Sequence, residues 1–295
     1  MNIVNLMIGF HVSISGSIVN SVQNAENLGC TAFQIFSRNP RGWKARPWQT
    51  EEIEAFKKKV HESYIDKNSL VVHMPYLPNL ASFESDMYNK SIMTLTEEIV
   101  RCSILGIPFL VVHLGSHHGK GENSGIEQIR KAFNLAIDQF NSKYKKRLPV
   151  NILLENSAGE KNDIGSKFEQ IRILIDLIGD KRIGVCLDTC HAFAAGYDLR
   201  TPKKVREFIE ELDRIVGLKN LKVLHLNDSK CNFNEKKDRH EHIGLGCIGD
   251  DGMREILCVK DFHKIPIIME TPIDNIRGDK DNMIVVKKMI EEAGI

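Results

Sequence analysis

IGVCLDTCH, residues 183–191, is a short apolar run that stops on a carboxylate, Asp188, and meets an imidazole, His191, three residues later. Four to six residues rich in branched side chains read as a buried strand. Working outward, the same figure returns on both sides. Toward the N-terminus, ILLE ends at Glu155, FLVVH at His113 and LVVH at His73; toward the C-terminus, VLH ends at His225 and IPIIME at Glu270. Two earlier runs, Met7–Phe10 and Ala32–Phe36, lead to His11 and Ser37.

Amphipathic stretches separate these runs: Ser17–Leu28, Glu51–Val60, Asn89–Leu105, Ile126–Phe140, Lys167–Ile178, Lys203–Val216 and Asp281–Glu292. Eight continuous apolar strands alternating with helices predict an α/β chain, a parallel (β/α)8 TIM barrel, over an open sheet. No Pro-rich linker or composition shift divides the 295 residues, so a single domain spanning 1–295 is expected.

From His73 onward, the strand-terminal residues are 40, 42, 33, 37 and 45 residues apart, one βα unit each. A barrel gathers the carboxyl ends of its strands on one rim, where active sites lie. One histidine there means little; six groups in register, all His, Asp or Glu, need a compensating cation. Imidazoles and carboxylates without thiolates suit zinc or manganese. His191 follows Asp188 by three residues, and Asp238 and His240 can reach a common ion. Nine candidates are too many for one metal and about right for three.

Composition sets bounds. The chain is 42% hydrophobic and 27% charged, enough to bury a sizeable core. Forty basic residues against 39 acidic ones give +1, which excludes a generally basic nucleic-acid coat, so any polyanion must be met locally. No run approaches the ~18 apolar residues needed to span a bilayer, and no signal peptide is read. Seven scattered cysteines without a CxxC pair predict free thiols in a reducing, intracellular (cytoplasmic) setting.

The stretches GFHVS (9–13), HLGSH (113–117), LLENSAG (153–159), VCLDTCHAFAAGYDLRTP (185–202), HLNDSK (225–230) and DRHEHIGLGCIG (238–249) resemble the endonuclease IV family, zinc-dependent apurinic/apyrimidinic endonucleases of base-excision repair. The resemblance covers nearly the whole chain in order. It implies a barrel with three zinc ions per chain that cuts damaged double-stranded DNA 5′ to an abasic site. The cut would leave a 3′-hydroxyl and a 5′-deoxyribose phosphate, and blocked 3′ ends would also be trimmed. It further implies His73, His113 and Glu155 at the first zinc, a bridging Glu155 with Asp188, His225 and Glu270 at the second, and His191, Asp238 and His240 at the third. Met74-Pro75 after His73 departs from the polar pair more usual in the family. A phosphodiester is an anion attacked by an anion, so paired metals that acidify a bridging water answer its chemistry, with Glu155 bridging and Glu270 orienting that water or taking its proton. A monomer is expected, with no membrane and no nucleotide cofactor.

Residues 33–50 hold Arg38, Arg41, Lys44 and Arg46, no acid, and both tryptophans, Trp43 and Trp48. Basic groups track phosphates and large side chains wedge into a duplex, so Arg38, Arg41 and Trp43 are read as facing DNA, and Trp48 as packed. The resemblance places Arg41 and Tyr76 at the lesion, where a missing base lowers the cost of flipping. Two features are read as decoys. Gly244-x-Gly246-x-x-Gly249 matches a dinucleotide fingerprint, but it follows a polar loop and precedes Asp250-Asp251. His117-His118 reads as a solvated pair. Cys190 reads as a packed thiol. The alternatives are a metal-dependent sugar isomerase, which needs a rim lysine that no strand supplies, and a damaged-DNA binding module with structural zinc, which is usually Cys-rich and closed.

Overall fold

The computed structural model describes residues 6–144 and 150–295. Eight strands form one parallel sheet: β1 (Ile8–Phe10), β2 (Phe33–Phe36), β3 (Leu70–His73), β4 (Phe109–Val112), β5 (Asn151–Glu155), β6 (Ile183–Asp188), β7 (Leu221–His225) and, after a two-stranded hairpin of β8 (Asp228–Ser229) and β9 (His240–Glu241), β10 (Ile267–Met269). The strand order β1-β10-β7-β6-β5-β4-β3-β2 leaves β1 and β2 at the ends, and a parallel bridge between His11 and Gln34 joins them into a barrel. The seam is close: a Cβ on Gly9 would lie 1.8 Å from the Ala32 carbonyl oxygen, so only glycine fits there.

Helices α1 (Val19–Asn27), α2 (Thr50–Glu62), α3 (Ser85–Leu105), α4 (Glu122–Tyr144), α5 (Phe168–Ile178), α7 (Pro202–Ile215) and α9 (Asp279–Glu292) correspond to the amphipathic stretches read from the sequence. Two further helices are short: α6 (Thr189–Ala195), whose N-terminus is capped by the Asp188 side chain, and α8 (Gly249–Leu257). Among the described residues, no helix is long and apolar enough to cross a membrane.

Successive side chains on a strand point to opposite faces. The residues facing the barrel axis at one level are Ala32, Val71, Val111, Leu153, Cys186, Val223 and Ile268, a dry apolar cluster separate from the larger core under the helices. Two positions further along each chain, the next inward residues are Gln34, His73, His113, Glu155, Asp188, His225 and Glu270. On β1 the corresponding pair is Gly9, level with Ile268, and His11. The pleat alone therefore converts an oily layer into an ionisable mouth in one step of two residues.

Candidate metal centre

Three sets made of His, Asp and Glu alone converge at this mouth, the ligand atoms within each set all lying within 4.8 Å of one another: His73, His113 and Glu155; Glu155, Asp188, His225 and Glu270; and His191, Asp238 and His240. Glu155 belongs to two sets. Its Oε2 lies 3.1 Å from His73 Nε2 and 3.0 Å from His113 Nε2, and its Oε1 lies 2.9 Å from His225 Nδ1. His225 Nδ1 is also 3.3 Å from Glu270 Oε2. In the third set, His191 Nε2 is 3.1 Å from Asp238 Oδ2, and His240 Nε2 is 3.3 Å from Asp238 Oδ1. The strands supply the first two sets, whereas the third comes from α6 and the β8–β9 hairpin.

The far nitrogens of these rings show what the near ones are for. His73 Nδ1 donates to the Met74 carbonyl (2.7 Å), His191 Nδ1 to that of Asn156 (2.9 Å), His240 Nδ1 to that of Glu270 (3.0 Å) and His225 Nε2 to Gln34 Oε1 (2.9 Å). In its neutral form each ring spends its proton outward and turns a lone pair toward carboxylate oxygens, as a metal ligand does. His240 Nε2 is buried without a hydrogen bond although Asp238 is close. Lone pairs facing lone pairs need either extra protons or cations between them. The donor set fits zinc, and the Met74 carbonyl supplies its contact through the backbone, so the Met74-Pro75 departure leaves it intact.

Electrostatics state the same competition. Burial alone would lower the pKa of each ring, but the facing groups outweigh it: Glu155 raises His113, Asp188 and Asp238 raise His191, and Cys186, Glu270 and Glu155 raise His225. His240, beside Asp238 and Asp188, is pushed up to about 9. Burial would raise the carboxyls, yet His113 and His225 hold Glu155, and His225 with His11 holds Glu270, well below the ordinary range. Protons and metal ions therefore contend for the same atoms.

Buried amides hold the ligands, and sequence reasoning missed them. Asn156 accepts from the Asp188 N–H at 2.6 Å and donates to its carbonyl at 2.9 Å. Asn227 donates to Asp188 Oδ2 at 2.6 Å and accepts from the Glu270 N–H at 2.8 Å. Gln34 escapes a reading of the sequence because Ser37, at the end of the second run, stands where the rim residue is expected. The pleat puts Gln34 there instead, and Ser37 lies under the rim, donating to Glu98 at 2.7 Å. The signal was a lone amide inside the run FQIF.

The glycine fingerprint has a plain occupant. Asp228, fully buried, accepts from the N–H groups of Gly244, Gly246, Ile248 and Gly249 at 3.0–3.4 Å, so this nest is filled by the protein's own carboxylate. Cys190 is buried and its thiol is pushed up by that burial, in keeping with a packed side chain. His117 accepts from the Gly121 N–H, and neither it nor His118 enters any ligand set among the described residues.

The basic segment splits. Arg41 is exposed, with no ion pair among the described residues. Tyr76 is 62% exposed, stands edge-on to Phe36 at 5.1 Å and lies 6.2 Å from His73. Desolvation of its hydroxyl at the crowded mouth, with Glu270 and Glu155 nearby, pushes the phenol up to about 12, so it stays neutral. Trp43 is half-buried beneath Lys90, and Trp48 packs between Arg46 and Arg101. Arg38 corrects the reading: its side chain is 1% exposed and turned inward, with Nε on Glu98 at 2.5 Å and Nη1 on Glu97 at 2.8 Å. A carboxylate inside the fold outcompetes a phosphate outside it.

Residues 22–291 match the family described as xylose isomerase-like TIM barrel. A "Probable endonuclease 4" of Cenarchaeum symbiosum is 53% identical, with 94% of this chain and 97% of the relative covered. One of Nitrosopumilus maritimus is 51% identical over 96% and 99%. The crystal structure of endonuclease IV from Thermus thermophilus superposes with a TM-score of 0.85 at 34% identity, covering 97% of this chain and 99% of that one. A D-tagatose 3-epimerase-like protein reaches 0.72 at 18% identity, a likeness of fold alone.

Proposed function

The chain belongs to the endonuclease IV family of xylose isomerase-like TIM barrels, and from that premise we propose that it hydrolyses the phosphodiester bond 5′ to an abasic site in duplex DNA. The products would be a 3′-hydroxyl and a 5′-deoxyribose phosphate, and blocked 3′ ends would be trimmed by the same chemistry. The carrying observation is the mouth itself: nine His, Asp and Glu side chains in three sets, two of which share Glu155.

His73, His113 and Glu155 would hold one zinc, Glu155, Asp188, His225 and Glu270 a second, and His191, Asp238 and His240 a third. Three bound zinc ions would supply the positive charge and the acidified water that attack on an anionic diester demands. The residues do the rest. Glu155 ties two sets at a fixed spacing. Glu270, kept anionic by its neighbours, accepts a hydrogen bond from the attacking water and orients it. Arg41 meets the phosphate backbone, and Tyr76, a neutral ring beside the ligands, fills the gap that the missing base leaves. The protein would act as a monomer, in whichever compartment holds the DNA. A sugar isomerase reading lacks its lysine, since no lysine lies among the inward residues of the mouth.

The test is incubation of purified protein with a duplex bearing one abasic site, without added magnesium. Incision 5′ to the lesion, with an end that a polymerase extends, is expected, together with about three zinc ions per chain by elemental analysis. An intact duplex at saturating protein overturns the reading.

A further inference from the structure

A second charged recess opens on the same rim, and no member of the three ligand sets lines it. Between the loop that follows β1 and the segment that follows β2 lies a cavity of about 310 Å³. Ser37, Arg38, Lys44, Arg46, Trp48 and Arg101 line it, and no acidic residue does. Ile18, at the start of α1, lines it too, and the first turn of α1 carries no acid.

The charges around this cavity do not balance. Arg38 is paired with Glu97 and Glu98, and Arg46 with Glu52. Arg101 is buried, yet its acceptors are all neutral: Ser37 Oγ at 2.7 Å, the Arg46 carbonyl at 3.0 Å and the Ser37 carbonyl. No carboxylate pairs with it among the described residues, and burial lowers its pKa. Lys44, which is exposed, has no ion pair among the described residues either. Two donors on the lining residues, Arg38 Nη2 and Trp48 Nε1, are buried without an acceptor. The Trp48 ring stands 4.5 Å from the Arg101 guanidinium and 5.0 Å from that of Arg46, so its N–H lies among cations.

Buried cations and donors are unfavourable until an acceptor meets them. One oxyanion with acceptors on several sides answers both unpaired cations and both orphan N–H groups, and phosphate with guanidinium is the strong form of that contact. A backbone diester has two of its four oxygens esterified. Arg38 and Arg101 are only 4% and 8% exposed, so a compact free phosphate reaches them where a duplex does not. We propose that this cavity binds a free phosphate group, either inorganic phosphate or the terminus of a small phosphomonoester. Arg101 and Lys44 supply the charge, and Arg38 Nη2 and Trp48 Nε1 supply hydrogen bonds. The site stands apart from the metal centre and does not depend on its chemistry.

The Trp48 indole proton reports on the cavity directly. The chain has two tryptophans, so zinc-loaded protein labelled with 15N at tryptophan gives two indole signals, and Trp48→Phe assigns them. Titration with inorganic phosphate, against chloride at equal ionic strength, should move the Trp48 signal saturably. Lys44→Ala, which removes no ion pair among the described residues, should raise the midpoint at least roughly 5-fold, because one charge-assisted contact is lost. A Trp48 signal that stays in place at roughly 10 mM phosphate, or an unchanged midpoint in Lys44→Ala, overturns the proposal. Saturating abasic duplex with a non-hydrolysable linkage at the incised bond separates the two sources of phosphate. With the duplex bound, free phosphate should still move the signal. If the duplex alone shifts it and abolishes the response, the occupant is the DNA backbone and the free-phosphate site is refuted. If no duplex binds, the functional reading fails, and the phosphate titration by itself still decides the cavity.

Discussion

The inward residues of the strands and the segment from Ser37 to Thr50 lie at the same end of the barrel, yet they obey different rules. On the strands, direction is set by the pleat: a residue two places after Val111 or Leu153 must face the axis, so His113 and Glu155 have no choice. In the segment, direction is set by which partner wins. Arg38 and Arg41 are three residues apart with the same chemistry, and one is buried on Glu98 while the other is exposed. Periodicity fixes a site; composition only nominates one.

The largest expected effect tests the strand side of this contrast. Glu155 joins two ligand sets, so Glu155→Ala should strip metal from both and lower the incision rate by at least roughly 1000-fold, since Lewis-acid stabilisation is worth several kcal/mol. Elemental analysis and single-turnover kinetics check it. Retention of a full metal complement would mean that Glu155 bridges nothing.

Arg38 comes next and tests the segment. Removing it leaves Glu98, fully buried, without its guanidinium, so Arg38→Ala should destabilise the fold by about 3 kcal/mol. Denaturant unfolding measures this, and DNA affinity per folded molecule should hardly move. A stable variant that binds DNA poorly would return Arg38 to the interface.

A smaller effect separates the two regions by pH. In metal-stripped protein His240 is raised to about 9 from the ordinary ~6.5. A raised pKa means stability that is fully present below ~6.5 and lost as pH rises through about 9. The lowered carboxyls, Glu155 and Glu270, act at the other end, with stability lost only as pH falls below their ordinary ~4.3. Stripped protein should therefore melt lower at pH 9 than at pH 6, by about 3 °C, for a shift of roughly 1–2 kcal/mol at this size. Loaded protein, with metal in place of those protons, should show little slope. Melting curves of both forms decide it, and equal slopes would remove the ring nitrogens from metal binding.

What could be read in advance follows from the same contrast. His73, His113, Glu155, Asp188, His225 and Glu270 were legible because each ends an apolar run, and βα spacing brings such ends together. Gln34 was not, because β2 continues through Ile35 and Phe36, and counting from the end of the run lands on Ser37. Asp228 was hidden in a polar stretch, and only the structure shows its carboxylate filling the glycine loop that resembled a cofactor cradle. The helix α8 was hidden by glycines at both its first and fourth positions. Polar groups that serve other polar groups leave no period in a sequence.

The smallest effect tests the exposed half of the segment. Arg41 makes no ion pair among the described residues, so Arg41→Ala removes no internal contact and should change stability by less than about 0.5 kcal/mol. If the side chain lies on a phosphate, its loss releases one fewer counterion, and the slope of log affinity against log salt should flatten by roughly one unit. Affinity for abasic duplex should then fall most at low salt, where that contact is least screened. Zinc content should stay at the wild-type level, because no ligand set includes this residue. Binding measured at several salt concentrations separates the outcomes: an unchanged slope with unchanged affinity would make Arg41 as structural as Arg38, and the contrast between the two arginines would collapse.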